Sequence, residues 1–260
     1  MTGPSVAPHA SGHDNPLLVD LALQGGGSHG AFTWGVLDRL LEESRLQIEG
    51  ISGTSAGAMN AAVLISGFEN DGRTGARIAL ERFWQRVSDA AVFSPFRRSP
   101  LDKLFGRWTL DHSPFFLAMD MFARMVSPYD LNPTSFNPLR GILAESIDFD
   151  AVRSSRIKLF VTTTHVRTGQ GRVFRNADLK PEVLLASACL PTLFKAVDID
   201  GEAYWDGGYA GNPTITPLSE RRIRRIRCSC RSIPSNGPMH RARLAISSAG
   251  STKSLSTHPC

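Results

Sequence analysis

The chain has few cysteines, a modest share of charge and no long hydrophobic run. Its 4 cysteines in 260 residues do not make a disulfide framework, which fits a reducing compartment. Cys228 and Cys230 lack a second pair or histidines at zinc-site spacing, so we expect no metal and no cofactor. The longest uncharged apolar stretches, Ala56–Phe68 and Val183–Phe194, fall short of the roughly 20 residues that span a bilayer.

The composition indicates one globular domain with two unlike ends. Residues 1–16 are rich in proline, glycine, serine and histidine and have no apolar core, so we expect a disordered arm and not a signal peptide. Residues 17–218 form the predicted domain, within a chain that is 42% hydrophobic and 20% charged. We expect a cytoplasmic protein, with peripheral membrane contact as a further expectation and no transmembrane helix.

Residues 219–260 differ from the rest in charge. They hold eight arginines and one lysine against the single acid Glu220, so the formal net charge of +5 comes from this segment. Burying its few isoleucines among arginines would be costly without partners for the charges. We therefore predict a disordered or poorly packed tail, as in an aberrant or frameshifted terminus. A basic arm for anionic lipid or nucleic acid is the alternative.

A serine stands in a strand–turn–helix context at Gly53-Thr54-Ser55-Ala56-Gly57. Apolar residues before it predict a strand, and the small residues that follow predict a helix. This is the setting of a G-x-S-x-G nucleophile elbow, where a sharp turn projects the serine hydroxyl and leaves room only for glycine two residues to either side. An ordinary loop can carry the same five residues, so the motif alone does not establish catalysis.

A glycine-rich segment, Gln24 to Gly30, lies between a predicted strand at Leu17–Leu23 and a helical pattern from Ala31 to Glu43. Gly25, Gly27 and Gly30 fit the dinucleotide-binding fingerprint, with Glu49 as the acidic residue farther on. The segment fits an oxyanion hole equally well, since glycines at a strand-to-helix turn expose backbone N–H groups at a positive helix end. Both interpretations stay open on these residues alone.

A third motif, Asp206-Gly207-Gly208, follows Tyr204-Trp205 and predicts a strand that ends in a tight turn. Alone it is typical of an ordinary Asp-Gly turn. With the glycine segment and the serine motif before it, it completes an ordered set of three.

From about Val19 to Pro213 the chain resembles the patatin-like phospholipases. The resemblance rests on Gly25–Gly30, Gly53–Gly57, Ala186-Ser187-Ala188-Cys189-Leu190-Pro191, and Asp206-Gly207-Gly208 followed by Asn212-Pro213. It implies an α/β fold of three layers, α/β/α, with a mainly parallel central sheet. It also implies a Ser–Asp dyad with Ser55 as nucleophile and Asp206 as proton acceptor, and an oxyanion hole at Gly25, Gly26, Gly27 and Gly30. The implied reaction is hydrolysis of lipid acyl esters, as in a phospholipase A or a lysophospholipase.

The positions of the histidines favour a dyad over a triad. An α/β-hydrolase triad runs in the order Ser, Asp, His, and only His240 and His258 follow Asp206, both in the tail. His165 lies in a strand-like run and is expected to be structural. His29 stands where the family usually has arginine or lysine, so it would weaken any fixed positive charge beside the oxyanion.

The expected partner is a lipid or fatty-acyl ester, and no nucleic acid is expected. Two alternatives remain: a nucleotide-binding module that uses the glycine segment, or a catalytically impaired relative that only binds lipid. Phenylalanines and methionines between Val92 and Pro138 predict short core helices, or an apolar cap that receives an acyl chain.

Overall fold

A computed structural model describes residues 16–92, 137–219, 226–233, 241–248 and 251–256. The N-terminal arm and most of the predicted apolar cap therefore lie outside the described residues. The strands are β1 (Leu17–Leu23), β2 (Leu46–Thr54), β3 (Lys158–His165), β4 (Gly171–Arg175), β5 (Val197–Ile199), β6 (Glu202–Asp206), β7 (Ile226–Ile233), β8 (Arg241–Ser248) and β9 (Ser251–Ser256). The α-helices are α1 (Gly30–Glu42), α2 (Ala56–Val92), α3 (Pro138–Ser146), α4 (Phe149–Ser154), α5 (Pro181–Ser187) and α6 (Thr216–Ser219).

The described strands form one sheet in the order β5-β6-β3-β2-β1-β7-β8-β9, with β4 paired to β3. The central strands β3, β2, β1 and β7 run parallel, and the outer strands pair antiparallel. Parallel strands joined by helices are the expected result of alternating strand and helix patterns. The predicted α/β fold with a mostly parallel central sheet is confirmed.

The topology brings the three sequence motifs to one end of the sheet. Leu23, the last residue of β1, pairs with Gly53, so the glycine segment and the serine turn leave the sheet side by side. Thr54 pairs with Thr162 in β3, and the next residue of β3, Thr163, pairs with Asp206 at the end of β6. In parallel α/β sheets this carboxyl end of the strands is where sites are built.

The first part of α2 forms the centre of the core. Ala58 and the run Ala61 to Ile65 are almost completely buried, as expected for a helix that is apolar on every side. The helix breaks at Asp71 and Gly72, and Gly72 has φ 54°. Gly67 and Gly75 then approach so closely that a Cβ on Gly75 would stand 2.3 Å from the Gly67 carbonyl oxygen. The second part of α2 is thereby packed back against the first.

Two predicted boundaries differ from the structure. The sequence pattern from Pro181 to Leu190, before Pro191, predicts a helix, but this helix ends at Ser187, because Ala188 already leaves the helical region with φ −116° and ψ 12°. The pattern from Ser154 to Val166 predicts a strand, but this strand begins only at Lys158. Ser154 instead closes α4, whose start is capped by the Asp148 carboxylate.

The C-terminal segment also differs from the sequence prediction. We predicted disorder or poor packing from residue 219 to 260, whereas the structure describes β7, β8 and β9 there. β7 pairs in parallel with β1, from Val19 opposite Ile226 to Leu23 opposite Cys230. Backbone pairing is the physical reason, since the open edge of β1 presents N–H and C=O groups that a neighbouring strand can satisfy whatever its side chains. The hypothesis of an aberrant terminus stays a prediction.

Candidate active site

Ser55 occupies the single-residue turn between β2 and α2. Its φ of 54° is the left-handed conformation that non-glycine residues rarely adopt. The turn is tight on both sides: a Cβ on Gly57 would stand 2.3 Å from the Leu23 carbonyl oxygen, and one on Gly53 would stand 2.7 Å from the Gly57 carbonyl carbon. These distances explain why both positions are glycine, as the sequence predicted for a nucleophile elbow.

Ser187 at the end of α5 supports this turn from behind. The Ser55 N–H donates to Ser187 Oγ at 2.9 Å, and the Ser187 hydroxyl donates to the Thr162 carbonyl at 2.6 Å. Ser187 is completely buried. The sequence places Ser187 only among the residues that carry the family resemblance and indicates no role for it, because its contact with Ser55 joins residues far apart in the chain.

Asp206 is brought next to Ser55 by the pairing of β6 with β3. Its carboxylate accepts a hydrogen bond from the Gly208 N–H at 2.6 Å, and the neighbouring Ser55 side chain lowers its pKa. Its own N–H donates to the Cys189 carbonyl at 2.8 Å, and its carbonyl accepts from Thr164 Oγ1 at 2.8 Å. These three hydrogen bonds fix both the backbone and the side chain of this aspartate.

Burial raises the pKa values of two side chains in the site, the Asp206 carboxylate and the Cys189 thiol. Burial raises the pKa of Asp206 above its ordinary value, and the Gly208 N–H and the Ser55 side chain oppose that rise only partly. Burial, with a smaller effect of the Asp206 charge, raises the pKa of the Cys189 thiol to about 11. Cys189 therefore stays protonated near neutral pH and is a poor competitor as a nucleophile.

The two glycines after Asp206 are required by close contacts. A Cβ on Gly207 would stand 2.1 Å from the Thr162 carbonyl oxygen. A Cβ on Gly208 would stand 2.9 Å from Asp206 Oδ1, the oxygen that the Gly208 N–H binds. Side chains at these positions would push the carboxylate away from Ser55.

The glycine segment lies against the serine turn, but not all of its N–H groups are available. The Gly25 N–H donates to Asn212 Oδ1 at 2.7 Å, and the Gly30 N–H donates to carbonyls of the preceding turn. The Gly25 and Gly30 N–H groups therefore already have acceptors in this structure, and the expected oxyanion-hole roles of these two glycines stay a prediction. Gly25 has no room for a Cβ, which would stand 2.7 Å from the Ser55 Cβ. Within the described part of the chain, the N–H groups of Gly26 and Gly27 donate to no protein acceptor.

The two nearby histidines are engaged elsewhere. His165 Nε2 lies 2.9 Å from Glu202 Oε2, and Nδ1 lies 2.9 Å from Thr168 Oγ1. His29 Nδ1 lies 3.0 Å from the Gly26 carbonyl oxygen on an exposed turn. None of these three contacts involves Ser55 or Asp206, and those of His165 fit the structural role that the sequence predicts for it.

Glu49 is poorly placed for the dinucleotide interpretation. It lies where the register between β1 and β2 shifts, beside Val19 and Asp20, whereas the glycine segment begins only after Leu23. The acidic residue of a dinucleotide site must reach the ribose near the glycine turn. Glu49 instead lines a cavity of about 520 Å³ with Gln47, Glu69 and Arg156.

Comparisons with known proteins decide the family. The sequence model described as Patatin-like phospholipase matches residues 21–219. The chain belongs to the patatin-like phospholipase family. The patatin-like match spans all three motifs and the described helices and strands from β1 to α6.

One solved structure that matches the chain is that of VipD from Legionella pneumophila. Its crystal structure matches this patatin-like chain at 16% sequence identity with a TM-score of 0.40, over 74% of this chain and 46% of that chain. The chain thus spans just under half the length of that protein. No curated protein matches.

The described residues contain neither a membrane-spanning helix nor a cluster of metal-binding side chains. Among the helices of the described residues, none combines the length and hydropathy that crossing a bilayer requires. In the same ranges, no three His, Cys, Asp or Glu side chains gather as a metal ion would need.

Proposed function

We propose that this protein is a lipid acyl hydrolase that cleaves carboxylic esters through Ser55 and Asp206. The observation that carries the proposal is the placement of the Ser55 side chain, held at φ 54° on its turn, beside the buried Asp206 carboxylate, whose pKa it lowers. Membership in the patatin-like phospholipase family supports lipid esters as the substrate class. Phospholipase A and lysophospholipase activities both lie within this proposal.

The proposed reaction has two steps. Ser55 Oγ attacks the ester carbonyl carbon while its proton passes to Asp206, and the resulting oxyanion accepts hydrogen bonds from the Gly26 and Gly27 N–H groups. The intermediate collapses, the C–O bond to the leaving alcohol breaks, and Asp206 returns the proton to that alcohol. Water then attacks the acyl-enzyme with Asp206 again as base, which releases the fatty acid and restores Ser55.

The raised pKa of Asp206 supports its role as a base. An ordinary aspartate is too weak a base to take a proton from a serine near neutral pH, and a base is most effective when its pKa approaches the working pH. Burial moves Asp206 in that direction. Since the base must be ionised, activity is expected to fall as the pH drops through this raised pKa.

A fluorophosphonate probe and a panel of lipid esters test the proposal. Wild type should be labelled at Ser55 and should release fatty acid, while Ser55→Ala should lose both with an unchanged circular dichroism spectrum. His165→Ala serves as the matched control, because its ring contacts Glu202 and Thr168 instead of the serine. Substantial turnover by Ser55→Ala would overturn the proposal. Lipid binding without labelling would favour an impaired relative, and calorimetric binding of NAD(H) would favour the nucleotide alternative.

A further inference from the structure

Asn212 contacts the glycine segment from the other side of the site. Its Oδ1 accepts the Gly25 N–H at 2.7 Å, a contact between residues 187 positions apart. We infer that Asn212 is a positioning residue, whose amide oxygen orients the glycine segment so that the Gly26 and Gly27 N–H groups face the reacting carbonyl. This inference rests on the proposed ester hydrolase function.

Asn212 can hold the loop because β2 anchors the chain on both sides of it. Thr54 Oγ1 donates to the Gly211 carbonyl at 2.9 Å, and Ser52 Oγ donates to the Thr214 carbonyl at 2.5 Å. Both hydroxyls belong to the strand that leads directly into Ser55. The segment that carries Asn212 is thereby fixed relative to the nucleophile and not merely to the protein surface.

Gly25 is the point where such a contact has most effect. It lies directly against Ser55, and it precedes Gly26 and Gly27, whose backbone has φ values of 154° and 56°. Glycines with positive φ have many alternative conformations, so a short glycine run does not keep its orientation without an external contact. A fixed acceptor on the Gly25 N–H removes that freedom before substrate arrives, which is the condition for effective oxyanion stabilisation.

Asn212 also lies close to the proposed base. The point where a Cβ on Gly208 would stand is 2.9 Å from Asp206 Oδ1 and 4.0 Å from Asn212 Nδ2. A negative charge placed at Asn212 would therefore raise the pKa of Asp206 further, because like charges disfavour ionisation. This proximity provides a readout that a purely structural asparagine would not give.

The experiment compares Asn212→Ala and Asn212→Asp on a soluble ester, p-nitrophenyl butyrate, across pH. Asn212→Ala should lower kcat about 10- to 100-fold, and KM should change little. This fall is at most about as large as the fall in kcat caused by removing one oxyanion-hole donor. Asn212→Asp keeps the acceptor for Gly25, so it should lose less kcat at high pH and shift the acidic limb of the pH profile upward. Asn176→Ala is the matched control, since Asn176 is a buried structural asparagine bonded to Leu159, Val152 and Ile157.

The outcomes separate this inference from the proposed function. An unchanged kcat in a folded Asn212→Ala variant overturns the inference. The inference is also overturned if a folded Asn212→Asp variant loses as much kcat as Asn212→Ala and the acidic limb of its pH profile does not shift. If Asn212→Ala fails to fold, the pH profile of Asn212→Asp decides alone. A wild type without turnover dependent on Ser55 overturns the proposed function and the inference with it.

Discussion

Replacing Ser187 by alanine tests whether the turn that carries Ser55 needs support from α5. The hydroxyl accepts the Ser55 N–H and donates to the Thr162 carbonyl, and the residue is fully buried. Alanine removes one oxygen atom and leaves almost no cavity. The main consequence is a buried N–H without a partner, at the one position in the turn where the backbone is already in an unfavourable conformation.

The expected cost follows from these two facts. A buried donor left unsatisfied costs about 1–3 kcal/mol of the free energy of unfolding. For a domain of this size, that corresponds to a fall in Tm of about 2–12 °C. The turn also loses a contact that holds Ser55 in its left-handed conformation, so kcat should fall about 10- to 100-fold if the hydroxyl shifts by up to an ångström.

Thermal unfolding and the rate of fluorophosphonate labelling measure the two effects. Ser187→Thr keeps a hydroxyl but adds a methyl group where there is no space, so it should lower Tm while retaining more of the labelling rate. Ser154→Ala is the control, because that hydroxyl is exposed and bonds only to its own helix. Equal Tm and equal labelling rates in wild type and Ser187→Ala would refute the reasoning.

Three further predictions concern the base, the glycine segment and the tail. Asp206→Asn should lower kcat about 10²- to 10⁴-fold. The same substitution should stabilise the fold at neutral pH. Because the pKa of Asp206 is raised in the folded protein, wild type loses stability as the pH rises from the ordinary aspartate pKa to this raised pKa, and asparagine does not ionise. The gain in Tm should therefore shrink in acid, and a gain that stays constant would contradict this reasoning. Gly25→Ala should abolish ester turnover, because the new Cβ would overlap Ser55. Gly27→Ala places its Cβ in open space and should cost only about 1–2 kcal/mol of backbone strain. Higher ester turnover in Gly25→Ala than in Gly27→Ala would contradict this loop geometry. Trypsin should spare Arg227 and Arg231 in the native protein, because β7 is paired with β1. Mass spectrometry of the fragments would show when these sites are cut. Cleavage of the native protein there as early as of the urea-unfolded protein would support the sequence-based hypothesis of an unpacked tail.

Local patterns were sufficient to predict the central part of this fold. Alternating apolar residues predicted β1, and the glycine and helical patterns after it predicted α1 to within one residue at each end. The elbow around Ser55 could be predicted because its requirements are local: a strand, a sharp turn and a helix of small residues. Asp206 followed from its order in the chain and from the family resemblance.

Contacts between distant residues could not be predicted in the same way. Nothing in the sequence near Gly25 indicates that Asn212 occupies its N–H, so all four glycines looked equally available as donors. The support of Ser55 by Ser187 was hidden for the same reason. The pairing of β7 with β1 was missed because arginines beside isoleucines suggested exposure, whereas strand pairing depends on the backbone and on an open sheet edge.

The pairing of β1 with β7 has a consequence for how the chain folds during synthesis. β1 begins at Leu17 and β7 begins at Ile226, so all the residues between them must be synthesised before this edge of the sheet can close. Contacts of such long sequence separation form slowly, and until then the edge of β1 can recruit strands from other chains. We therefore expect that ribosome-bound or truncated chains that stop before β7 depend on chaperones, and that the pairing of β7 with β1 is the step that closes this edge against other chains.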